Sequence, residues 1–230
     1  MADEERRMFL DILGSAKRQE LLSQARVVRA QKGQTVSARG EASWDVHVVQ
    51  EGRLEVVLYA ADGREVSLRI LRPGQLFGEL GAIDDAVRST SIVATTDSRL
   101  LAIPQQAFRT ALSRSPEAND WMLRRLTSQI RSLTDRVFEL SALNVQARLH
   151  CELIRLARSP DAADSIAPTH AELANRIGTH REAVTRELNA LAARNIIRGG
   201  RRRLEFLDLD GLEREVRSSL RAPVGDEGWW

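Results

Sequence analysis

The longest regular pattern of hydrophobic positions in the chain lies between Asn119 and Asn144. Its apolar residues are Leu123, Leu126, Ile130, Leu133, Val137 and Leu140. Gaps of three and four residues alternate between them, which is the heptad pattern of a coiled-coil seam. Pro116 and Glu117 favour a helix start just before this stretch. The pattern predicts a long helix that pairs with the same helix of a second copy, and one long core helix is the alternative. The charged residues beside the seam are expected to be solvated, namely Arg124, Arg125, Arg131, Asp135, Arg136 and Glu139.

The chain before this helix changes its hydrophobic period. Residues 3–29 show a short amphipathic helical pattern, and beyond Lys32-Gly33 the apolar period becomes two. Short apolar runs then follow at Val46–Val49, Leu54–Leu58, Val66–Ile70, Ile92–Ala94 and Leu100–Ile103. Gly-rich turn signals separate these runs. Many short strands at regular spacing predict a small antiparallel β-barrel or jelly roll, a fold that often encloses a ligand.

The chain after the long helix returns to helical patterns. Asn144 is a good N-cap for a helix over Val145–Ala157, which makes residues 141–144 a candidate hinge. Thr169–Glu172 is a capping box that opens a short helix, and Gly178 ends that helix. Thr179–Glu182 is a second capping-box pattern that opens another helix. Two short helices joined across a Gly turn predict a helix-turn-helix, whose second helix enters the DNA major groove.

The second helix and the segment after it carry residue types that suit DNA. Arg181 and Arg186 can pair with guanine O6 and N7, and Glu182 can accept from cytosine N4. The basic turn over residues 198–203, flanked by apolar runs, predicts a β-hairpin wing that contacts phosphates. The candidate DNA-binding residues are Thr169, Thr179, His180, Arg181, Glu182 and Arg186. The alternative is a solvated helix hairpin with surface charge.

One connection in the β region carries candidate ligand chemistry. Gly78 and Gly81 allow backbone N–H groups to gather round a small anion, and Glu79-Leu80 between them can form one helical turn. Arg88 supplies a full charge and Ser89 a hydroxyl donor, as a phosphate site requires. Glu79 can accept from a sugar hydroxyl. The same residues also fit a Gly-rich turn that a Glu79–Arg88 salt bridge closes, so the chemistry alone leaves both interpretations open.

The run GELGAIDDAVRST resembles the phosphate-binding cassette of cyclic-nucleotide-binding domains in the cyclic-AMP receptor protein (CRP/FNR) family. The resemblance implies that Glu79 binds the ribose 2′-hydroxyl. It also implies that Arg88, Ser89 and the backbone around Gly78 and Leu80 hold the cyclic phosphate. Thr134 on the long helix matches a position that contacts the base in that family. A hydroxyl can bond to guanine or to adenine, so cyclic AMP is the expected effector, and cyclic GMP or another effector is the alternative.

The helix-turn-helix carries the same resemblance. Arg181-Glu182-x-Val184-x-Arg186 matches the recognition helix of the cyclic-AMP receptor branch. In that branch the two arginines read guanines and the glutamate reads cytosine in a TGTGA-like half-site. The resemblance therefore implies a regulator that binds double-stranded DNA and has RNA polymerase as its protein partner.

Composition narrows the classes of function. The 230 residues have a formal net charge of +2 and include one cysteine, which by itself forms neither an internal disulfide nor an iron–sulfur cluster. The four histidines lack the paired spacing of a metal-dependent enzyme, so we expect no enzyme and no metal. No apolar run approaches the roughly 18 residues of a membrane span, and the start MADEERR lacks a signal-peptide pattern. We expect a cytoplasmic protein without membrane contact.

These patterns predict an α+β protein of three parts and a tail. Residues 1–114 form an N-terminal antiparallel β-barrel of the cyclic-nucleotide-binding jelly-roll type, and residues 115–143 form the dimerisation helix. Residues 144–217 form a C-terminal winged helix-turn-helix, and residues 218–230 are the tail.

The predicted function is that of a cyclic-nucleotide-responsive, sequence-specific transcription regulator. It acts as a homodimer, through the Asn119–Asn144 helix, on a TGTGA-like palindrome. One alternative is a regulator of the same fold that binds DNA without a cyclic nucleotide or with another effector. Another is a cyclic-nucleotide-binding subunit that regulates a protein partner.

Overall fold

The computed structural model describes residues 8–59, 65–158, 167–200 and 203–219. The chain divides into two compact units, Met1–Gln129 and Ile130–Trp230. Residues 220–230 of the predicted tail and the wing residues Arg201 and Arg202 lie outside the described residues. Within the described ranges, no helix has both the length and the apolar character needed to cross a membrane.

The first unit contains the strands of two antiparallel sheets. They are β1 (Arg26–Ala30), β2 (Thr35–Ser37), β3 (Val46–Glu51), β4 (Leu54–Tyr59), β5 (Glu65–Leu71), β6 (Leu76–Phe77), β7 (Ser91–Ala94) and β8 (Ser98–Ile103). One sheet has the order β1-β8-β3-β6 and the other the order β2-β7-β4-β5. The prediction of an antiparallel β domain is confirmed, with the strands divided between two sheets of four rather than closed into one ladder.

The helices of the first unit cover one side of its core. They are α1 (Phe9–Ile12), α2 (Ser15–Gln24), α3 (Glu79–Asp84), α4 (Gln105–Arg114) and α5 (Pro116–Ala142), the last of which continues into the second unit. The Phe9 ring lies 5.3 Å from the Phe108 ring and 5.8 Å from the Trp121 ring, measured between centroids. Burial of these aromatic side chains fixes α1 and α4 against the start of α5.

One predicted boundary at the start of the chain is wrong. The amphipathic pattern extended the first helical region to residue 29, but α2 ends at Gln24 and Arg26–Ala30 form β1. This strand pairs antiparallel with β8, from Arg26 opposite Ala102 to Ala30 opposite Ser98. Pairing with a strand some 70 residues later is a tertiary effect that overrides the local helical pattern.

The predicted long helix is confirmed as α5. It has 27 residues, or about 40 Å at 1.5 Å per residue, and begins at Pro116. Five of its seam residues are large hydrophobic side chains that are 55–64% exposed, namely Leu123, Ile130, Leu133, Val137 and Leu140. Leu126 is partly buried against the core of the first unit. These five side chains therefore do not pack into the core of their own chain, and the alternative of a long core helix is not supported.

The second unit contains a helical core and a two-stranded wing. Its elements after α5 are α6 (Val145–Arg158), α7 (His170–Ile177), α8 (Arg181–Ala193), β9 (Ile197–Gly200), β10 (Arg203–Phe206) and α9 (Leu209–Ser219). Asn144 Oδ1 accepts from the Ala147 amide at 2.9 Å, so Asn144 caps α6 as predicted. Cys151 is 1% exposed and packs in the core of this unit. Burial raises the pKa of its thiol to about 12, so the thiol is not reactive at pH 7.

Charged side chains connect α5 to α6 and α7. We expected Arg136 and Glu139 of α5 to be solvated, but their side chains are 28% and 13% exposed. Arg136 pairs with Glu152 of α6 at 3.4 Å, and Glu139 pairs with Arg155. The Glu152 side chain is 4% exposed and also accepts from Arg155 at 2.8 Å and Arg176 at 3.0 Å. This Glu152 cluster fixes the end of α5 to the helix-turn-helix.

Candidate effector pocket and DNA-binding surface

The connection between β6 and β7 has a backbone that depends on Gly78. Its φ is +86°, in the left-handed region that favours glycine. A Cβ at this position would lie 2.2 Å from Arg88 Nη1, which is far closer than real contacts allow. After Gly78 the chain forms α3, as the sequence predicted. Gly78 is therefore required both by its backbone angle and by the close approach of Arg88.

Arg88 is a buried cation held by neutral oxygens. The residue is 5% exposed, and Nη1 donates to Gly78 O at 3.0 Å. Nη2 donates to Asp45 O at 2.6 Å and to Ser43 Oγ at 3.2 Å. Burial lowers the pKa of Arg88, and the charges of nearby carboxylates oppose this shift.

The positive charge of Arg88 retains unused hydrogen-bonding capacity. Among the described residues, its buried Nε has no hydrogen-bond partner, and the Glu79–Arg88 salt bridge of the alternative interpretation is not formed. An arginine stays charged at physiological pH. The connection thus presents a fixed cation that a carboxylate does not directly neutralise.

Glu79 is buried beside a second arginine that the sequence analysis did not assign to the pocket. Glu79 is 3% exposed, and its charge raises the pKa of Arg125, although burial lowers that pKa more strongly. Arg125 of α5 donates through Nη2 to Leu76 O at 3.1 Å, and its guanidinium carbon lies 5.6 Å from the Trp121 ring centroid. The expectation that Arg125 is solvated is wrong. The Trp121–Arg125 pair, four residues apart, was a signal that could have revealed this.

The remaining residues of the predicted effector site differ in exposure. Leu80 is 44% exposed, and Ser89 is exposed, so the Ser89 hydroxyl is accessible. Thr134 belongs to the second unit, where its hydroxyl donates to Ile130 O at 3.0 Å. The structure thus brings together Gly78, Glu79 and Arg88 within the first unit, and Ser89 follows directly.

His47 lies near Arg88 but adds no charge. Its ring stacks on Phe77 with centroids 4.9 Å apart. Burial lowers the pKa of His47 to about 4, and the charge of Arg88 contributes to the same shift. The imidazole is therefore neutral at pH 7, and the positive charge of this region comes from arginines.

The first helix of the helix-turn-helix begins as predicted. Thr169 Oγ1 accepts from the Glu172 amide at 3.2 Å, and the Glu172 carboxylate accepts from the Thr169 amide, which completes the capping box. Gly178, with a φ of +67°, closes α7. The hydroxyl of Thr169 is thus engaged in the helix cap.

The second predicted capping box is wrong. The N-cap of α8 is His180 rather than Thr179, and it makes no side-chain cap hydrogen bond. With His180 as the N-cap, Glu182 is the second helical residue, whereas a capping box requires the third. Glu182 is exposed and does not complete a capping box.

The outer face of α8 carries the predicted base-reading side chains. Arg181, Glu182 and Arg186 are exposed, as is His180, whereas Thr179 is half-buried. Val184, Leu188 and Leu191 lie in the core. One packing contact of this helix was not predicted from the sequence. His170 Nδ1 lies 2.7 Å from Thr185 Oγ1, so α7 holds Thr185 and fixes the rotation of α8 about its axis.

The predicted wing is present as the β9–β10 hairpin, but its turn is shorter than predicted, because residues 198–200 and Arg203 belong to the strands. Ile197 is opposite Phe206, and Gly200 is opposite Arg203. Arg198 and Arg203 are exposed on its strands. The wing adds basic surface to the same unit as α8, as a phosphate-contacting element requires.

Comparisons with known proteins agree with both parts of this arrangement. A family model of the cyclic nucleotide-binding domain matches residues 27–115, and one of the Crp-like helix-turn-helix domain matches residues 147–215. The cyclic AMP receptor protein of Thermus thermophilus is 30% identical over 169 residues, which cover 74% of this chain and 78% of that protein. A CRP-like cAMP-activated global transcriptional regulator of Mycobacterium tuberculosis is 29% identical over 203 residues, or 86% and 91% of the two chains.

Two solved structures have a fold similar to that of this chain. The crystal structure of the Thermus thermophilus catabolite activator protein is 27% identical, with a TM-score of 0.54, and the match covers 92% of this chain and 99% of that chain. A CooA mutant from Carboxydothermus hydrogenoformans, 22% identical, shares the fold with a TM-score of 0.78 over 92% of this chain and 96% of that chain.

We predict that Gly78→Ala destabilises the first unit more than Gly33→Ala. Both glycines have a positive φ, +86° and +85°, but a Cβ added at Gly78 meets Arg88, whereas one added at Gly33 meets no described atom within 4 Å. Backbone strain costs about 1–3 kcal/mol at either site, and displacement of Arg88 adds to it only at Gly78. Urea unfolding of both variants measures the difference. Equal losses would show that the close approach of Arg88 carries no energetic weight.

Proposed function

Because the chain belongs to the CRP/FNR family of cyclic-nucleotide-binding transcription regulators, we propose that cyclic AMP controls its binding to a TGTGA-like palindrome as a homodimer. The relatives are regulators and not enzymes, and the chain is a regulator of the same kind. We further propose the division predicted from the sequence, with a sensor over residues 1–114, a dimer helix over 115–143 and a DNA-binding part over 144–217.

The observation that carries the effector proposal is the buried charge of Arg88. A cyclic phosphate would accept charge-assisted hydrogen bonds from Arg88 and from the exposed Ser89 hydroxyl. The backbone around Gly78 and Leu80 supplies further donors, and Glu79 accepts from the ribose 2′-hydroxyl. Thr134 is the base-contacting residue in this proposal, on the basis of the sequence resemblance alone.

Cyclic AMP is the proposed effector because two relatives bear it in their names. Cyclic GMP is the second candidate, because a threonine hydroxyl can donate to guanine as readily as it accepts from adenine. Binding of either nucleotide would bury two contacts together, that of the Glu79 carboxylate with the ribose and that of Arg88 with the charged phosphate.

The dimer proposal rests on the exposed seam of α5. Five large apolar side chains at heptad spacing are more than half exposed in the isolated chain. Pairing with a second α5 would bury these side chains. Each Å² of apolar surface removed from water would stabilise the dimer by about 25 cal/mol. In such a dimer, two copies of α8 would enter successive major grooves about 34 Å apart.

DNA recognition is proposed for the exposed face of α8. Arg181 and Arg186 would read guanines, and Glu182, which does not serve the helix cap, would accept from cytosine N4. Thr169, Thr179 and His180 would contact the flanking backbone. RNA polymerase is the protein partner that we propose, and the cytoplasm is the proposed location. A coupling of about 1–3 kcal/mol between effector and DNA would change DNA affinity by roughly 5- to 150-fold.

We predict that Arg88→Gln weakens cyclic AMP binding by about 10- to 150-fold. The reason is that a charged hydrogen bond contributes about 1.5–3 kcal/mol. Isothermal titration calorimetry with cyclic AMP and cyclic GMP measures the effect, and circular dichroism checks the fold. Arg109→Gln is the matched control, since Arg109 is a nearby exposed arginine that pairs with Asp85 at 3.1 Å. Full affinity for both nucleotides in Arg88→Gln would remove the pocket assignment.

We predict that Arg181→Ala relaxes the preference for one G·C pair by about 1–3 kcal/mol. The measurement is binding to a TGTGA palindrome and to operators changed at single base pairs. Arg198→Ala in the wing is the control, and it should weaken binding to every sequence and reduce the salt dependence. A uniform loss in Arg181→Ala would make Arg181 a phosphate contact only.

We predict that Val137→Glu raises the dimer dissociation constant at least about tenfold, which corresponds to about 1.4 kcal/mol. The substitution places two like charges in the seam, where they must be desolvated. Analytical ultracentrifugation measures the change. Val27→Glu is the control, because Val27 of β1 is 57% exposed and lies outside the seam. A dimer that tolerates Val137→Glu does not use this face of α5.

One titration separates the proposal from its two alternatives. The purified protein is mixed with a TGTGA palindrome while cyclic AMP or cyclic GMP is added. A regulator that works without a cyclic nucleotide binds DNA equally in every case. A cyclic-nucleotide-binding subunit for a protein partner binds the nucleotide but shows no sequence preference on DNA. The proposed function requires that the nucleotide raise the affinity for the palindrome above that for other sequences.

A further inference from the structure

The second unit contains a cluster of potential metal ligands that the proposed function does not use. His150 of α6, Glu187 of α8 and Glu215 of α9 each place one ligand atom within 4.8 Å of the others. The His150 and Glu187 side chains are 5% and 9% exposed, and that of Glu215 is 30% exposed. The cluster joins three helices, one of which is the proposed recognition helix, and solvent reaches it from the Glu215 side.

One ring nitrogen of His150 has a clear partner. Nε2 lies 2.8 Å from Glu187 Oε1, and an ionised carboxylate only accepts, so Nε2 carries a proton. Gln146 Nε2 donates to Glu187 Oε2 at 2.7 Å, which holds the carboxylate from its other side. A neutral imidazole has one N–H group, so Nδ1 then presents a lone pair.

That lone pair faces another acceptor. Nδ1 is buried and has no hydrogen-bond partner among the described residues, and it lies 3.5 Å from Glu215 Oε2. Two lone-pair atoms this close repel each other, and a cation bound between them would remove that repulsion. Two ligands of a tetrahedral Zn²⁺ ion, each about 2.1 Å from the metal, are about 3.4 Å apart. A carboxylate that accepts from the opposite ring nitrogen is the usual support of a metal-bound histidine.

Arg194 leaves this position open. Its Nη1 pairs with Glu215 Oε1, the other oxygen of that carboxylate, and its Nη2 lies 3.6 Å from Glu187 Oε1. Arg194 thus offsets one of the two carboxylate charges. With a neutral His150, the cluster retains one net negative charge, which attracts a cation.

We propose that His150 Nδ1 and Glu215 Oε2 bind one divalent transition-metal ion of the Zn²⁺ type. Glu187 is the positioning residue that holds the His150 ring, and water completes the coordination from the exposed side of Glu215. The scattered histidines gave no sign of a metal in the sequence, because one histidine and two carboxylates from three helices make no local motif. The bound ion joins α6 to α9 and, through Glu187, stabilises the placement of α8.

The test uses the full chain after treatment with EDTA. Addition of Zn²⁺ raises the thermal midpoint by about 3–6 °C, with about one ion bound per chain by calorimetry. Mg²⁺, which prefers oxygen ligands, produces no comparable shift. An unchanged midpoint with Zn²⁺ overturns the proposal.

Variants locate the ion. His150→Gln and Glu215→Gln each lose the Zn²⁺-dependent shift, measured against the metal-free midpoint of the same variant, so that a folding defect is not mistaken for lost binding. Glu213→Gln is the control on α9, since Glu213 pairs with Arg158, and His180→Gln is the control for an exposed histidine. A shift that survives in either ligand variant overturns the proposal.

A proton is the competing cation. If Zn²⁺ has no effect, the thermal midpoint is compared at about pH 8 and about pH 6, the range in which an imidazole takes up a proton. Stabilisation on acidification that Glu215→Gln abolishes would place a proton between the two atoms and overturn the metal assignment.

Discussion

The periodicity of one helix constrains the whole molecule, because α5 must present different chemistry on different faces. Its seam residues are exposed and apolar. Arg125, off the seam, lies against Leu76 and near Glu79 in the first unit. Further along, Arg136 and Glu139 pair with α6 in the second unit. A continuous helix with 3.6 residues per turn keeps the apolar seam apart from these charged side chains, and α5 is continuous from Pro116 to Ala142.

The connection between β6 and β7 shows how a small domain keeps a cation available. Arg88 is nearly buried, yet its described partners are two main-chain oxygens and a hydroxyl. Neutral oxygens fix the guanidinium without removing its charge, whereas a carboxylate in contact would have neutralised it. Gly78 makes this possible, because any side chain there would occupy the space of the guanidinium. The glycine contributes to charge placement as much as to the turn.

Much of the architecture could be predicted from the sequence because its signals are local. The heptad spacing gave α5, Asn144 gave the start of α6, and the Thr169 capping box gave α7. Two of the failures depend on long-range contacts. Residues 26–29 became a strand through pairing with β8, and Arg125 became half-buried through contact with β6. Helix α9 had readable signals, since Asp208 accepts from the Gly211 amide at 2.7 Å and Leu212 and Val216 are buried four residues apart.

The Glu152 cluster has a consequence for how ionic strength acts on the molecule. Its carboxylate is almost fully withdrawn from water and accepts from three arginines, so dissolved ions screen it weakly. Arg181 and Arg186 of α8 and Arg198 and Arg203 of the wing are exposed, so dissolved ions screen their charges much more strongly. Concentrated salt should therefore release a bound duplex long before it loosens the attachment of the helix-turn-helix to α5. The molecule that leaves the operator would still be rigid at this junction.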